Sequence, residues 1–457
     1  MREKESPAKP PKPGARNVLM FVLPSLLGIF LFMTPVSYQG DLTIMIAVLA
    51  KSLQALLDGA LPSIVTALIV VSAVFSLLVK LLRPTSVLEH PFLNTLFNIS
   101  PVWLASRLVG AVFVVLVYAQ VGPELLYGAD TGGLVLHDLL PVLFAVFVFA
   151  GLLLPLLLDF GLLEFIGTLL TGIMRPVFRL PGRSAVDCMA SWLGDGSVGI
   201  LLTSKQYESH HYTQREAAVI GTTFSAVSIT FSLVVLAQVR LEHLFLPFYF
   251  AVCLAGVVAA IVVPRLPPLR WKKDTFINGE PRPAGSEATP AGYSRLSHGY
   301  ALALARASRI DSLGLVVRTG VHNALDMVLG VLPVVMAFGT TALIIAETTP
   351  LFGWLGLPFV PLLEWLGIPE AAAASQTMVV GFADMFIPAI LASSIESEMT
   401  RFVIAALSVT QLIYMSEVGA LLLGSKVPVN VVELFVIFLL RTLVTLPVIA
   451  LVAHMVF

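Results

Sequence analysis

Charge is scarce in this chain. Asp, Glu, Lys and Arg make up 12% of its 457 residues, about half of the ~25% usual for a soluble domain. Over this length the shortage means that most of the surface faces lipid. Cysteine is nearly absent. Cys188 and Cys253 stand in apolar surroundings, too few for a disulfide framework and without metal-cluster spacing, so both read as small buried residues. A net charge of −1 leaves no basic footprint for nucleic acid. The sequence has no nucleotide-binding P-loop, which argues against ATP-driven pumping by this chain alone. The acidic residues lack a base–nucleophile arrangement, so the chain is not read as an enzyme. Gly194-x-Gly196-x-x-Gly199 spells a dinucleotide fingerprint, but that motif needs a preceding strand and a βαβ unit, which an apolar helical stretch does not supply.

Apolar residues dominate instead, at 57%, with mean hydropathy +0.93. Runs at about 18–36, 61–79, 103–119, 138–158, 216–239, 244–264, 319–346, 402–423 and 430–456 each suffice to cross a core about 30 Å thick. The first follows a basic, proline-rich start. Thr34-Pro35-Val36-Ser37-Tyr38 offers no small-x-small cleavage site, so the run reads as an uncleaved membrane helix rather than a signal peptide. The stretch 41–57, interrupted by Lys51 and Gln54 and followed by Asp58, reads as an interfacial or packing helix. Stretches 184–204 and 369–395 do not fit as ordinary spans.

The positive-inside rule sets orientation. With the N-terminus cytoplasmic, only Lys51, Arg240 and Arg401 fall outside and Arg441 falls within the last span; all the other basic residues lie inside. The stretch 265–310, with Pro264, Pro267, Pro268, Asn278-Gly279, Pro281, Pro283 and Pro290 in or beside it, reads as a partly disordered cytoplasmic linker. The expected organisation is a tail at 1–17, helices at 18–160 that act as scaffold or in oligomerisation, one repeat at 161–264, the linker, and a second repeat at 311–457.

The repeat is carried by two segments. Trp192-Leu-Gly-Asp195-Gly-Ser-Val-Gly-Ile-Leu-Leu-Thr-Ser204 aligns with Val380-Gly-Phe-Ala-Asp384-Met-Phe-Ile-Pro-Ala-Ile-Leu-Ala-Ser393, Asp195 on Asp384 and Ser204 on Ser393. With a three-residue gap, Arg215 falls on Arg401. A helix rich in polar residues follows each: Thr222, Thr223, Ser225 and Ser228, then Ser408, Thr410, Gln411, Tyr414 and Glu417. By charge, 184–204 begins and ends inside and 369–395 begins and ends outside, so each must enter and return. Ser184 to Gly194 gives about 16 Å of helix and Pro369 to Gly381 about 20 Å, enough to reach midway. Two re-entrant hairpins from opposite faces mark an inverted-repeat transporter. Ser184-x-x-Asp187 and Thr213-x-x-Glu216 fit capping boxes, and Pro369-Glu370 fits a first helical turn.

"LPSLLGIFLFMTP", "DGALPSIVTALIVVSAVFSLL" and the paired Gly-Asp hairpins resemble the YjiH-like membrane proteins that carry a nucleoside-recognition, or Gate, domain. The resemblance covers nearly the whole chain except 265–310. The Gate unit is similar to the hairpin-plus-helix halves of concentrative nucleoside transporters, where hairpin tips and the following helices bind substrate and a coupling ion. Carried onto this chain, it implies Asp195, Gly196 and Ser197 at the first tip and Asp384 at the second. It also implies Thr222, Ser225, Ser228, Gln411, Tyr414 and Glu417 on the following helices. The paired polar-acidic motifs that read base and ribose in those transporters do not recur here.

Each residue has a plainer reading. Asp195 and Asp384 near mid-membrane cost about 2.5–3.5 kcal/mol on insertion scales; they either bind a coupling cation, or take up its proton, or cap a returning helix. Glu417 either serves the site or pairs with Arg441. Ser225, Ser228 and Gln411 either touch substrate or bond neighbouring helices. His322, Asn323 and Asp326 lack a third metal ligand and read as packing near the cytoplasmic face; His210-His211 reads as an interfacial loop.

The expected fold is an all-α polytopic helical membrane protein, an inverted repeat with two re-entrant hairpins, in a bacterial inner membrane. The expected function is secondary-active transport of a small polar organic solute, nucleoside-like by the resemblance. Na+ or H+ would be the coupling ion, with no resident cofactor and the bilayer as partner. A passive channel and a non-transport partner protein remain as alternatives. Nothing selects an oligomeric state, so a homo-oligomer stays open.

Overall fold

A computed structural model describes residues 14–38, 41–193, 196–224, 229–283, 289–290, 292–310 and 312–457. Seven helices among them are long and apolar enough to cross a bilayer: Ala15–Met33, Leu61–Leu82, Pro101–Ala119, Glu124–Leu158, Glu242–Arg265, Leu313–Thr348 and Val431–Val456. Apart from one isolated bridge, strand among the described residues is confined to Pro35–Tyr38 paired with Asp41–Ile44. The chain is an all-α, multi-pass membrane protein. The packing helix expected at 41–57 runs from Met45 to Leu57, with the unexpected strand pair before it.

Small residues let the spanning helices approach closely. A Cβ on Gly110 would lie 2.1 Å from the Pro333 carbonyl oxygen, so the helix Pro101–Ala119 meets Leu332–Thr348 backbone to backbone. Contacts of this kind supply the packing that hydrophobic burial cannot supply between helices in lipid.

Two of the expected spans are not continuous helices. In 216–239, helix Gln214–Thr223 ends at Phe224, and the next described helix is Ile229–Gln238. In 402–423, helix Glu398–Gln411 gives way to non-helical backbone before Val418–Gly424. Mean hydropathy registers apolar content, not helical continuity, so both runs passed as spans.

Segment 184–204 holds two short helices, Ser184–Leu193 and Gly196–Glu208. They run antiparallel. A Cβ on Gly199 would fall 2.6 Å from the Ser191 side chain, and Thr203 Oγ1 donates to Asp187 Oδ2 at 3.2 Å. At about 15 and 20 Å, neither helix matches a ~30 Å core. Segment 369–395 holds Ala371–Val380 and Ile387–Ala392, shorter still.

The expected caps divide. At Thr213, the Glu216 amide donates to Thr213 Oγ1 at 3.3 Å and the Thr213 amide to Glu216 Oε2 at 2.9 Å, a complete box. The Ser184–Asp187 box is not made. Ser184 is already helical and donates to the Pro181 carbonyl, while Asp187 turns inward to accept from Tyr212 at 2.9 Å and from Thr203. Glu370 precedes its helix at φ 51° instead of sitting in the first turn, and its carboxylate accepts the Ser397 amide at 2.8 Å.

The last helix, Val431–Val456, serves as a ruler. Its 26 residues span about 39 Å. Near its start, Glu433 pairs with Lys272 at 2.7 Å. The neighbouring Lys273 and Thr275 carbonyls accept the Arg215 and Gln214 amides, just past the return of the first hairpin. Near its far end, His454 Nε2 lies 2.8 Å from the Leu366 carbonyl, beside the base of the second hairpin. The segment that follows 184–208 and the one that precedes 369–395 thus make contacts at opposite ends of one long helix. The segment 265–310, expected to be partly disordered, is structured over much of its described length. It includes the helix Arg295–Ala307 and the ion pairs Lys272–Glu433, Arg282–Glu216 and Arg306–Asp159.

Candidate functional site

About two fifths of the way along the last helix, Arg441 points into the protein and is 2% exposed. Its Nε donates to the Thr410 and Gln411 carbonyls at 3.1 Å each, and Nη2 to Thr410 at 2.6 Å. Nη1 donates to the Thr222 carbonyl at 3.3 Å and the Thr223 carbonyl at 3.1 Å. These four carbonyls belong to the last turns of the helices Gln214–Thr223 and Glu398–Gln411, where a helix runs out of its own donors; the Gln411 carbonyl also accepts the Ile413 amide at 2.8 Å. Each helix C-terminus carries roughly half a negative charge. Two together supply about one, the charge of one guanidinium. That balance is how a buried arginine stands without a carboxylate among the described residues. The pairing of Glu417 with Arg441 is not made. Tyr414 Oη lies 3.3 Å from Glu417 Oε2 as donor, and the arginine serves backbone instead.

The second hairpin's tip is strapped to the second break. The Met415 amide donates to the Phe382 carbonyl at 2.7 Å and the Ser416 amide to Ala383 at 2.9 Å. Asp384 joins both sides. Its Oδ1 accepts the Phe386 amide at 2.8 Å, closing the turn, and its Oδ2 accepts from Ser416 Oγ at 2.6 Å. Leu412 sits at φ 65°, a conformation worth roughly 1–3 kcal/mol of strain for a non-glycine residue. The bonds from Met415 and Ser416 hold it there. Gln411 Nε2 donates to the Met378 carbonyl at 2.7 Å and to Thr442 Oγ1 at 2.8 Å, tying hairpin, break and last helix together. On the other side, Trp192 of the first hairpin donates to the Phe224 carbonyl at 3.3 Å, just past the first helix end.

Of the residues singled out in the sequence, Asp384, Gln411, Tyr414 and Glu417 share the second break, and Thr222 reaches it through Arg441. Thr222 Oγ1 donates to the Ala218 carbonyl at 2.6 Å, so its carbonyl rather than its hydroxyl serves the junction. Gly196 begins the return helix of the first hairpin, and Ser197 is buried beside it. Asp195, Ser225 and Ser228 lie outside the described residues. Ser416 and Thr442 were not singled out, and Thr223 stood only among the polar residues of its helix. Arg441 was visible as a lone cation in an apolar span, a standing pointer to function. Its carbonyl partners carry no mark in the sequence. His322 stacks on Phe92 with centroids 4.1 Å apart, in line with a packing role, while Asp326 pairs with Lys205 at 2.6 Å.

A profile of the nucleoside-recognition (Gate) family matches residues 140–241, which include the first hairpin and the helix that follows it. An uncharacterized protein of Alkalihalophilus pseudofirmus is 49% identical over 441 residues, covering 96% of this chain and 95% of its own length. No solved structure matches. The chain belongs to the same family as that protein, and its residues 140–241 match the nucleoside-recognition domain, consistent with the YjiH-like membrane proteins.

Proposed function

We propose that the chain is an ion-coupled secondary transporter of a small polar organic solute, nucleoside-like in keeping with its Gate domain, built as an inverted repeat with two re-entrant hairpins. The observation that carries this reading is the junction at Arg441. Two helices stop inside the protein, one after each hairpin, and a single guanidinium holds their carbonyl ends together. Discontinuous helices meeting at mid-depth, with hairpins based at opposite ends of the same spanning helix, are the working parts of alternating-access carriers. Interrupted backbone at membrane depth survives only where protein or a water-filled cavity satisfies it.

In such carriers, free helix C-termini often coordinate the coupling cation. Here Arg441 occupies that place. The coupling role then falls to the acidic groups around the breaks: Asp384 and Glu417, with Asp195 at the opposing tip. Gly196, Ser197, Thr222, Ser225, Ser228, Gln411 and Tyr414 would line the solute's path. The repeats are 161–264 and 311–457, with 18–160 as scaffold. The distribution of basic residues supports a cytoplasmic N-terminus in a bacterial inner membrane.

The test is a thermal-stability screen of purified protein against nucleosides, peptides and sugars, with and without sodium and at two pH values. Uptake of each hit into proteoliposomes follows. Concentrative uptake driven by a Na+ or H+ gradient and lost in Asp384→Asn is expected. Asn keeps the acceptor for the Phe386 amide, so the turn survives the change. Flux that no gradient concentrates, or a fully coupled Asp384→Asn variant, would overturn the reading.

A further inference from the structure

At the end of the molecule where Lys272 meets Glu433, a second polar site lies apart from the helix breaks. Helix Leu162–Ile173, the loop before the first hairpin, the turn after it, the linker segment 276–283 and helix Arg295–Ala307 line an open pocket of about 380 Å³. That is within the usual range for small-ligand sites. Arg183, Arg282, His210, His211, His298 and Glu164 are in its wall. The cations set its potential: the charged neighbours acting on His211 are Arg183, Arg306, Arg282 and His210.

Two residues in the wall point to an occupant. Arg183 Nη2 donates to Glu164 Oε1 at 3.0 Å, but the buried Arg183 Nε has no acceptor, and the buried Glu164 Oε2 has no donor. Buried charged groups rarely leave such positions open. A carboxylate beside a guanidinium would repel a fully ionised oxyanion such as sulfate. It would welcome one that still carries a proton, because the hydroxyl can donate to the carboxylate while the ionised oxygens face the guanidinium.

We propose that this cavity binds a protonated phosphate group, as inorganic phosphate or the head of a phosphate monoester, accepting from Arg183 and donating to Glu164. A phosphate monoester loses its second proton near pH 6, so the protonated form is present at mildly acidic to neutral pH. This site is independent of the transport reading and stands or falls separately.

The test uses full-length protein in detergent at about pH 6.5, titrated calorimetrically and by thermal midpoint with inorganic phosphate, glycerol phosphate, short-chain phosphatidic acid and sulfate. Saturable binding of at least one phosphate compound, with sulfate about tenfold weaker or worse, is expected, and the three phosphate arms distinguish a free ion, a soluble ester and a lipid head. Arg183→Gln should weaken phosphate about tenfold, and Glu164→Gln should bring sulfate to within about threefold of phosphate, since the amide donates to either anion. Each variant is read against its own ligand-free midpoint. His298→Ala, which leaves the Arg183–Glu164 pair intact, should weaken phosphate a few-fold. The proposal is overturned by any of three results: no saturable phosphate binding in the wild type, which would mean the cavity holds water alone; sulfate binding as tightly as phosphate; or unchanged phosphate affinity in Arg183→Gln.

Discussion

Replacing Arg441 with Leu removes the one group that satisfies four carbonyls at once. The Thr222, Thr223, Thr410 and Gln411 carbonyls would lose five hydrogen bonds from the guanidinium. A hydrogen bond to a charged group contributes about 1.5–3 kcal/mol, which alone would predict a catastrophic loss. Against that stands the charge itself, since burying a guanidinium costs several kcal/mol that leucine would not incur. The balance predicts a loss of about 3–5 kcal/mol, the usual result of removing one partner from a buried charged network. Arg441→Lys keeps the charge but offers three donors from one nitrogen in place of a planar fork. It can serve one helix end well and the other poorly, and about 1–2 kcal/mol is expected. Graded denaturation in detergent measures both. The order wild type, Lys, Leu is required. A leucine variant as stable as the wild type would refute the reasoning, because the two helix ends would then find other donors at no cost.

Gly110→Ala places a methyl 2.1 Å from the Pro333 carbonyl oxygen, where only backbone movement relieves it; a loss of about 1–3 kcal/mol is expected in the same assay. Lys205 lies 2.6 Å from Asp326 and 3.2 Å from Glu208. Lys205→Met should therefore destabilise by roughly 2 kcal/mol, with a second change, Asp326→Asn, recovering part of it in a double-mutant cycle. His211 is held down to about 3, first by burial and then by Arg183, Arg306, Arg282 and His210. Unfolded, it titrates near 6.5. Below that value the unfolded chain takes a proton that the folded chain refuses, so this contribution is complete above pH 6.5 and is lost as pH falls. Between pH 6.5 and 4.5 the wild type should lose up to ~3 kcal/mol relative to His211→Gln; equal acid slopes in the two chains would contradict this.

The sequence displayed the spans and hid the interruptions. Residues 61–79 and 431–456 are largely apolar, Glu433, Arg441 and His454 aside, and both lie in continuous helices. Residues 402–423 are nearly as apolar, yet the helix stops at Gln411: Gln411 Nε2 donates to the Met378 carbonyl, Leu412 turns to positive φ, and the Met415 and Ser416 amides serve the Phe382 and Ala383 carbonyls. Those are contacts across 30 or so residues of sequence, and local pattern does not encode them. The Thr213–Glu216 box was readable because it is local. The Ser184–Asp187 box misled because Tyr212 and Thr203, distant in sequence, claim the carboxylate. Asp384 and Gln411 stood out as polar residues in apolar context, whereas Ser416 and Thr442 looked ordinary. The segment 265–310 looked unstructured because its prolines and charges were weighed without the partners, Glu216 and Glu433, that receive Arg282 and Lys272.

That last arrangement has a mechanical consequence. Arg282 is anchored on Glu216, at the start of the first interrupted helix, and Lys272 on Glu433 and the Pro428 carbonyl, at the start of the last helix. Between the two anchors the Lys273 and Thr275 carbonyls also hold the Arg215 and Gln214 amides. Only one to three residues of chain thus separate Lys272 from the first interrupted helix, and the connection behaves as a short leash, not a slack loop. If the near ends of those helices part by more than a side chain's reach, one anchor must release, and until it does, a push on either half is delivered to the other. The stroke of any rocking motion on this side is thus limited by two ion pairs far from the junction they restrain.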